Sequence, residues 1–170
     1  MKPFILLSAF VIALTACTGL PSGIEPVTGF NKERYLGTWY EIARLDHSFE
    51  RGLSQVTASY TLNDDGSINV VNRGYNNAKE EWNTAEGRAV FVGDRDVGHL
   101  KVSFFGPFYS SYVVFGLDDD YSTAYVSGYN HNYLWLLSRT PTVETDVLSG
   151  FKQKAEAVGF DLDELIVVQQ

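Results

Sequence analysis

Between Thr38 and Ser138, β-branched and aromatic residues recur in short runs. Apolar and polar positions alternate inside each run, and clusters of Gly, Asn, Asp and Ser separate them. A period of two marks half-buried strands, and turn clusters spaced roughly 8 to 15 residues apart are the pattern of an all-β sandwich or barrel. Eight strands are predicted, over 38–45, 55–63, 67–76, 82–92, 99–105, 111–117, 123–129 and 132–138. The sharpest turn signal is Asn63-Asp64-Asp65-Gly66-Ser67, whose residues tolerate positive φ.

One segment breaks the period of two. After Pro141, residues Val147, Leu148, Phe151, Ala155 and Val158 recur at three- and four-residue spacing until Gly159, which predicts an amphipathic helix with a glycine stop. A short strand, Ile166-Val167-Val168, follows. The expected fold is therefore all-β: an eight-stranded antiparallel up-and-down β-barrel with one C-terminal α-helix packed outside and room for one small ligand.

The N-terminal region has a different pattern. Lys2, an apolar run from Phe4 to Leu14 and the small residues before Cys17 have the order of a secretory signal, too short to span a membrane. Leu14-Thr15-Ala16-Cys17 resembles the lipobox of bacterial lipoproteins, which implies removal of residues 1–16 and lipid attachment at Cys17. Thr18 in place of an acidic residue implies sorting to the outer membrane, on its periplasmic side. Acyl chains on Cys17 exceed what stable membrane anchoring requires. From Thr18 to Gly29 the composition is that of a flexible linker, so the expected domains are a leader over 1–16, an acylated Cys17 and tether over 17–29, and a barrel domain over 30–170.

Composition narrows the chemistry. The 13 basic residues lose Lys2 with the leader and face 21 acidic ones, a balance that argues against nucleic acid and against charge-driven adhesion to anionic membranes. Cys17 is the only cysteine, so the barrel holds neither disulfide nor free thiol. His47, His99 and His131 show no metal-ligand spacing, and neither a metal nor a cofactor is expected. Asp46-His47 beside Ser48 has the residue types of a hydrolase but no nucleophile elbow.

Three motifs in order now carry a resemblance. Gly37-Thr38-Trp39 opens the first strand, Asp120-Tyr121 precedes the seventh, and Arg139 closes the eighth. Together they resemble the signature of the lipocalins. The segments Tyr35–Leu53, Leu100–Phe108 and Tyr133–Pro141 are similar to the bacterial outer-membrane branch of that family, which is related to apolipoprotein D. The resemblance implies that Trp39 plugs the closed end of the barrel and that Arg139 lies across it as a cation–π pair. Strand parity places Glu41 on the same face as Trp39, so it is expected to be buried and paired with an arginine.

Parity with the family register gives a ligand lining of Tyr60, Ala89, Phe91, Val102, Phe104, Tyr112, Val114, Tyr125, Ser127, Tyr133, Trp135 and Leu137. Small residues at Ala85, Gly87 and Ala89 are expected to leave volume unfilled, and an apolar cavity with few hydroxyls suits a fatty acid or a lysophospholipid. His47, Ser48, Phe49, Arg51, Phe105, Phe108 and Tyr109 are expected at the open rim, where aromatic residues suit either a lipid head group or a homodimer patch. Two functions remain open: a lipid-binding and transport module of the envelope that is not an enzyme, or a lipid-acting enzyme using barrel tyrosines or Asp46-His47.

Overall fold

The computed structural model describes residues 18–170. Cys17 and the leader lie outside the described residues. A short helix α1 (Lys32–Tyr35) leads into β1 (Gly37–Leu45), followed by β2 (Leu53–Leu62), β3 (Ile68–Asn76), β4 (Glu81–Phe91), β5 (His99–Phe105), β6 (Phe108–Leu117), β7 (Thr123–Ser127) and β8 (Leu134–Ser138). Helix α2 (Thr145–Ala157) and a last strand β9 (Leu165–Val167) complete it.

Each of the eight strands pairs antiparallel with the next, and β1 closes the barrel by pairing with both β8 and β2. The eight strands and the outer helix match the sequence expectation to within a few residues. Helix α1 was not foreseen. Its four residues are too few for an apolar period, and Asn31 caps it by accepting a hydrogen bond from Arg34 N at 3.0 Å.

Closure of the barrel is uneven. Strand β1 pairs with β2 only from Gly37 to Tyr40. Beyond that point β9 lies along β1, while Gln55 N donates to Gln169 O at 2.6 Å and the Gln170 side chain donates to Glu41 O and Val56 O. Strands β4 and β5 pair only from Arg88 to Phe91. Where they part, a groove of about 370 Å³ opens, bordered by Glu86, Arg88, Ser103, Phe104 and Tyr109.

Two apolar cores result. One fills the lower barrel around Trp39, Tyr60, Val70, Leu100, Val114, Val126 and Leu137. The other lies outside the barrel wall, where Phe151 and Ala155 of α2 cover Ile42, Val113, Phe115, Leu134 and Leu136. Strands of this side are thus buried on both faces.

The tether expected over 18–29 is corrected by this packing. Ile24 is only 4% exposed and belongs to the outer core, and Val27 exchanges hydrogen bonds with Gly98 and Val114 at 2.8 and 2.9 Å. Ser111 Oγ donates to Gly19 O at 2.7 Å. Two apolar side chains suffice to dock the segment because Gly98 lets it approach: a Cβ there would fall 2.8 Å from Val27 Cγ2.

Candidate ligand site in the barrel

The closed end is built around Trp39. Its indole N–H donates to Tyr35 O at 2.8 Å, and the Arg139 guanidinium stacks 3.9 Å above the ring. Arg139 also donates to the carbonyls of Arg34, Leu36 and Thr38 at 2.8, 2.9 and 3.0 Å, fastening α1 and β1 across the base. The turn before β7 is held mainly by Asp118, which accepts from the backbone and hydroxyls of Ser122 and Thr123. Asp120, the acid expected there, makes a single contact of 3.1 Å to Ser122 N. Tyr121 lies buried under Arg34 and accepts from Asn31 N through its hydroxyl.

Above this floor three hydroxyls meet. Tyr112 Oη lies 2.7 Å from Tyr35 Oη and 2.9 Å from Tyr60 Oη, and burial raises all three phenols above their ordinary range. Around and above them, Ala89, Phe91, Val102, Phe104, Val114, Trp135 and Leu137 face the interior as expected. Ala58 and Asn72 are half-buried and Ala85 is exposed on the same inner face, so the barrel stands open to solvent along β2, β3 and β4. Asn72 Oδ1 is buried there without a hydrogen-bond partner.

Three expectations about the lining change. Tyr125 belongs to the outer core, its ring 5.1 Å from Phe151 of α2, and Gly116 opposite leaves the space for it. Val126 and Ala124 face inward in its place. Ser127, two residues on, bonds Gly128 O and shares the outward parity of Tyr125. Finally, the room expected over Gly87 is taken by Phe104, whose ring atoms lie 2.8 Å from where a Cβ would stand. Tyr133 sits at the mouth, stacked 6.2 Å from both Phe49 and Trp135.

Sequence parity missed the most polar part of the interior. A bulge in β1 between Glu41 and Ala43 restarts the alternation, so Arg44 returns to the inner face opposite Trp135, as Glu41 stands opposite Leu137. Arg44 Nη1 donates to Glu41 Oε1 at 2.7 Å, which supplies the arginine partner expected for Glu41. Arg44 Nη2 donates to Glu50 O and Leu53 O, pinning the loop 46–52 across the mouth.

From that loop Glu50 reaches down into the barrel. Its Oε2 accepts from Trp135 Nε1 at 3.0 Å and lies 2.8 Å from His47 Nε2. Burial first, then the Glu50 carboxylate, raise Glu41 well above the ordinary glutamate range against the pull of Arg44. Burial also raises Glu50, but His47, Trp135 and Arg44 outweigh it and hold Glu50 below its ordinary value. The two neighbouring carboxyls are thus pushed in opposite directions, Glu41 up and Glu50 down. The legible part of this cluster was Glu41, which parity with Trp39 placed inward and whose burial called for an arginine.

The remaining polar residues disperse. Asp46 accepts two hydrogen bonds from Arg51 at 2.6 and 2.9 Å, while His47 turns away to Glu50. His99 lies beside Ser111, and His131 beside Val158 O. At the rim Phe49, Phe105 and Phe108 are exposed, Phe105 by 82%.

Residues 30–170 match the family described as the lipocalin-like domain. The chain belongs to the lipocalins. Over 160 residues this lipocalin is 59% identical to the outer membrane lipoprotein Blc of Vibrio cholerae serotype O1, covering 94% of each chain. Over 163 residues it is 49% identical to the outer membrane lipoprotein Blc of Escherichia coli strain K12, covering 96% of this chain and 92% of that one. Apolipoprotein D of Bos taurus is 27% identical over 148 residues, with 83% of this chain and 77% of that one covered. Among solved structures, insecticyanin from the tobacco hornworm Manduca sexta superposes with a TM-score of 0.71 at 20% identity, over 89% of this chain and 87% of that one, a likeness of fold alone.

Proposed function

We propose that this lipocalin is an outer-membrane lipoprotein, acylated at Cys17, that binds and carries fatty acids or lysophospholipids in its barrel. The observation that carries the reading is the inner face itself. Ala58 packs with Val102, Phe104, Tyr112 and Trp135 on the inner face, Ala85 adds a second small side chain there, and the barrel opens to solvent along β2, β3 and β4. A single acyl chain laid there removes about 15 methylenes from water at about 0.8 kcal/mol each, and association costs about 4 kcal/mol or more. Affinity in the micromolar range or tighter follows. Two relatives named as outer membrane lipoproteins support the location.

Docking of residues 18–29 sharpens the geometry of anchoring. Thr18 alone separates Cys17 from Gly19, which is fixed to Ser111 on the barrel wall. Two residues span about 7 Å, so acyl chains on Cys17 would hold the wall of β5 and β6 close to the lipid surface.

Incubation of the purified protein with lysophospholipid, followed by native mass spectrometry, tests the reading. One intact lipid per chain is expected. Release of a free fatty acid would instead make the barrel an enzyme.

A further inference from the structure

Glu50 occupies an unusual place for a loop residue. It is buried inside a barrel whose expected occupant is a lipid, and three of the groups around it are ones that would hold an anion. Trp135 donates to it at 3.0 Å, His47 stands at 2.8 Å, and Arg44 holds its backbone carbonyl while leaving its own buried Nε without any partner. Glu41, whose carboxyl is raised well above its ordinary range by burial and by Glu50, lies next to it, and the Tyr60 phenol is close enough to feel both carboxyls.

We infer that Glu50 is a built-in surrogate ligand: its carboxylate fills, from the 46–52 loop, the site that takes the anionic head of a bound single-chain lipid. The inference rests on the lipid-binding reading of the barrel and specifies the head group. Height supports it. Arg44 and Trp135 are register partners near the open end, five strand positions above Trp39 on β1. At about 3.3 Å per residue the strand between them runs roughly 16 Å, which puts the cluster well above the packed floor, at the level where a lipid entering the mouth presents its head. An incoming carboxylate or phosphate that accepts from Trp135 and the free Arg44 Nε displaces the Glu50 side chain, and the loop it belongs to loses its bond to Trp135. An uncharged lipid has nothing to offer this site and leaves Glu50 in place.

The shared chemistry is a single-chain lipid with an anionic head, and three probes separate its sources: hexadecanoate, a lysophosphatidic acid of the same chain length, and hexadecan-1-ol. Hydrogen exchange of the intact protein over residues 46–52 should speed up with one or both anions and stay unchanged with the alcohol. Which anion does so names the head group. In Glu50→Gln the ratio of hexadecanoate to hexadecanol affinity should shift toward the acid by about fivefold or more, because a competitor for the competent state is gone. Binding of the anions with no change in loop exchange, or equal acceleration by the alcohol, overturns the inference while leaving the lipid-binding reading intact. Failure of all three to bind overturns both.

Discussion

Arg44 Nη1 lies 2.7 Å from Glu41 Oε1 although both belong to one strand, because the bulge between them turns Arg44 back into the barrel. Both side chains are almost fully buried. Arg44→Met therefore leaves the buried Glu41 carboxyl without its ion-pair partner and the Glu50 and Leu53 carbonyls without their donor, and loss of one member of such a cluster costs about 3–5 kcal/mol. Glu41→Gln keeps the shape of a protonated acid and should cost about 1 kcal/mol or less, with Glu41→Ala lying above it. Urea unfolding of the variants at pH 6 checks the order.

The same pair sets a pH dependence. Glu41 is raised in the folded state, so the stability it contributes is present below the unfolded glutamate value of about 4.3 and is lost as pH climbs through its folded value. Glu50 is lowered, so its contribution is present above about 4.3 and is lost as pH falls. Stability should decline on both sides of the ordinary carboxylate range, and Glu41→Gln should flatten only the alkaline decline. Urea midpoints between pH 4 and 9 measure it.

At the closed end Arg139 does more than stack on Trp39, since its guanidinium also gathers the carbonyls of Arg34, Leu36 and Thr38. A lysine retains the charge but neither the planar fork nor the stacked face. Arg139→Lys should cost about 2–4 kcal/mol. At roughly 2–4 °C per kcal/mol for a domain of this size, the melting temperature should fall by about 5–15 °C, read by circular dichroism.

The inward face of β7 gives a paired test. Tyr125→Ala removes a ring from beneath α2 and should destabilise by about 2–4 kcal/mol while changing lipid affinity by less than about twofold. Val126→Trp fills the interior and should weaken binding by about tenfold or more. The opposite pattern would put Tyr125 back inside the barrel.

What could be read from the sequence follows from where one strand face stayed polar. On β2, Thr57, Ser59 and Thr61 mark the outside, so Tyr60 was assigned inward correctly, and β4, β5, β6 and β8 yielded likewise. On β7 both faces are buried because α2 covers the outer one, and parity then has no polar reference. Arg44 was hidden by a bulge that no residue type announces, and Glu50 by a loop whose return into the barrel is a tertiary event. Residues 18–29 read as a linker because Ile24 and Val27 are outnumbered by Gly, Pro, Ser and Thr. The fold was legible, and so were the apolar half of the site and Glu41, whereas Arg44 and Glu50 were not.

Trp135 lies in the lining and bonds Glu50, so tryptophan fluorescence during titration with hexadecanoate tests lipid binding in the barrel most directly. A saturable change at one lipid per chain, half-complete at micromolar lipid or below and lost in Trp135→Phe, is the expected result. An unsaturable change, or one that persists unaltered in Trp135→Phe, would contradict a lipid site inside the barrel.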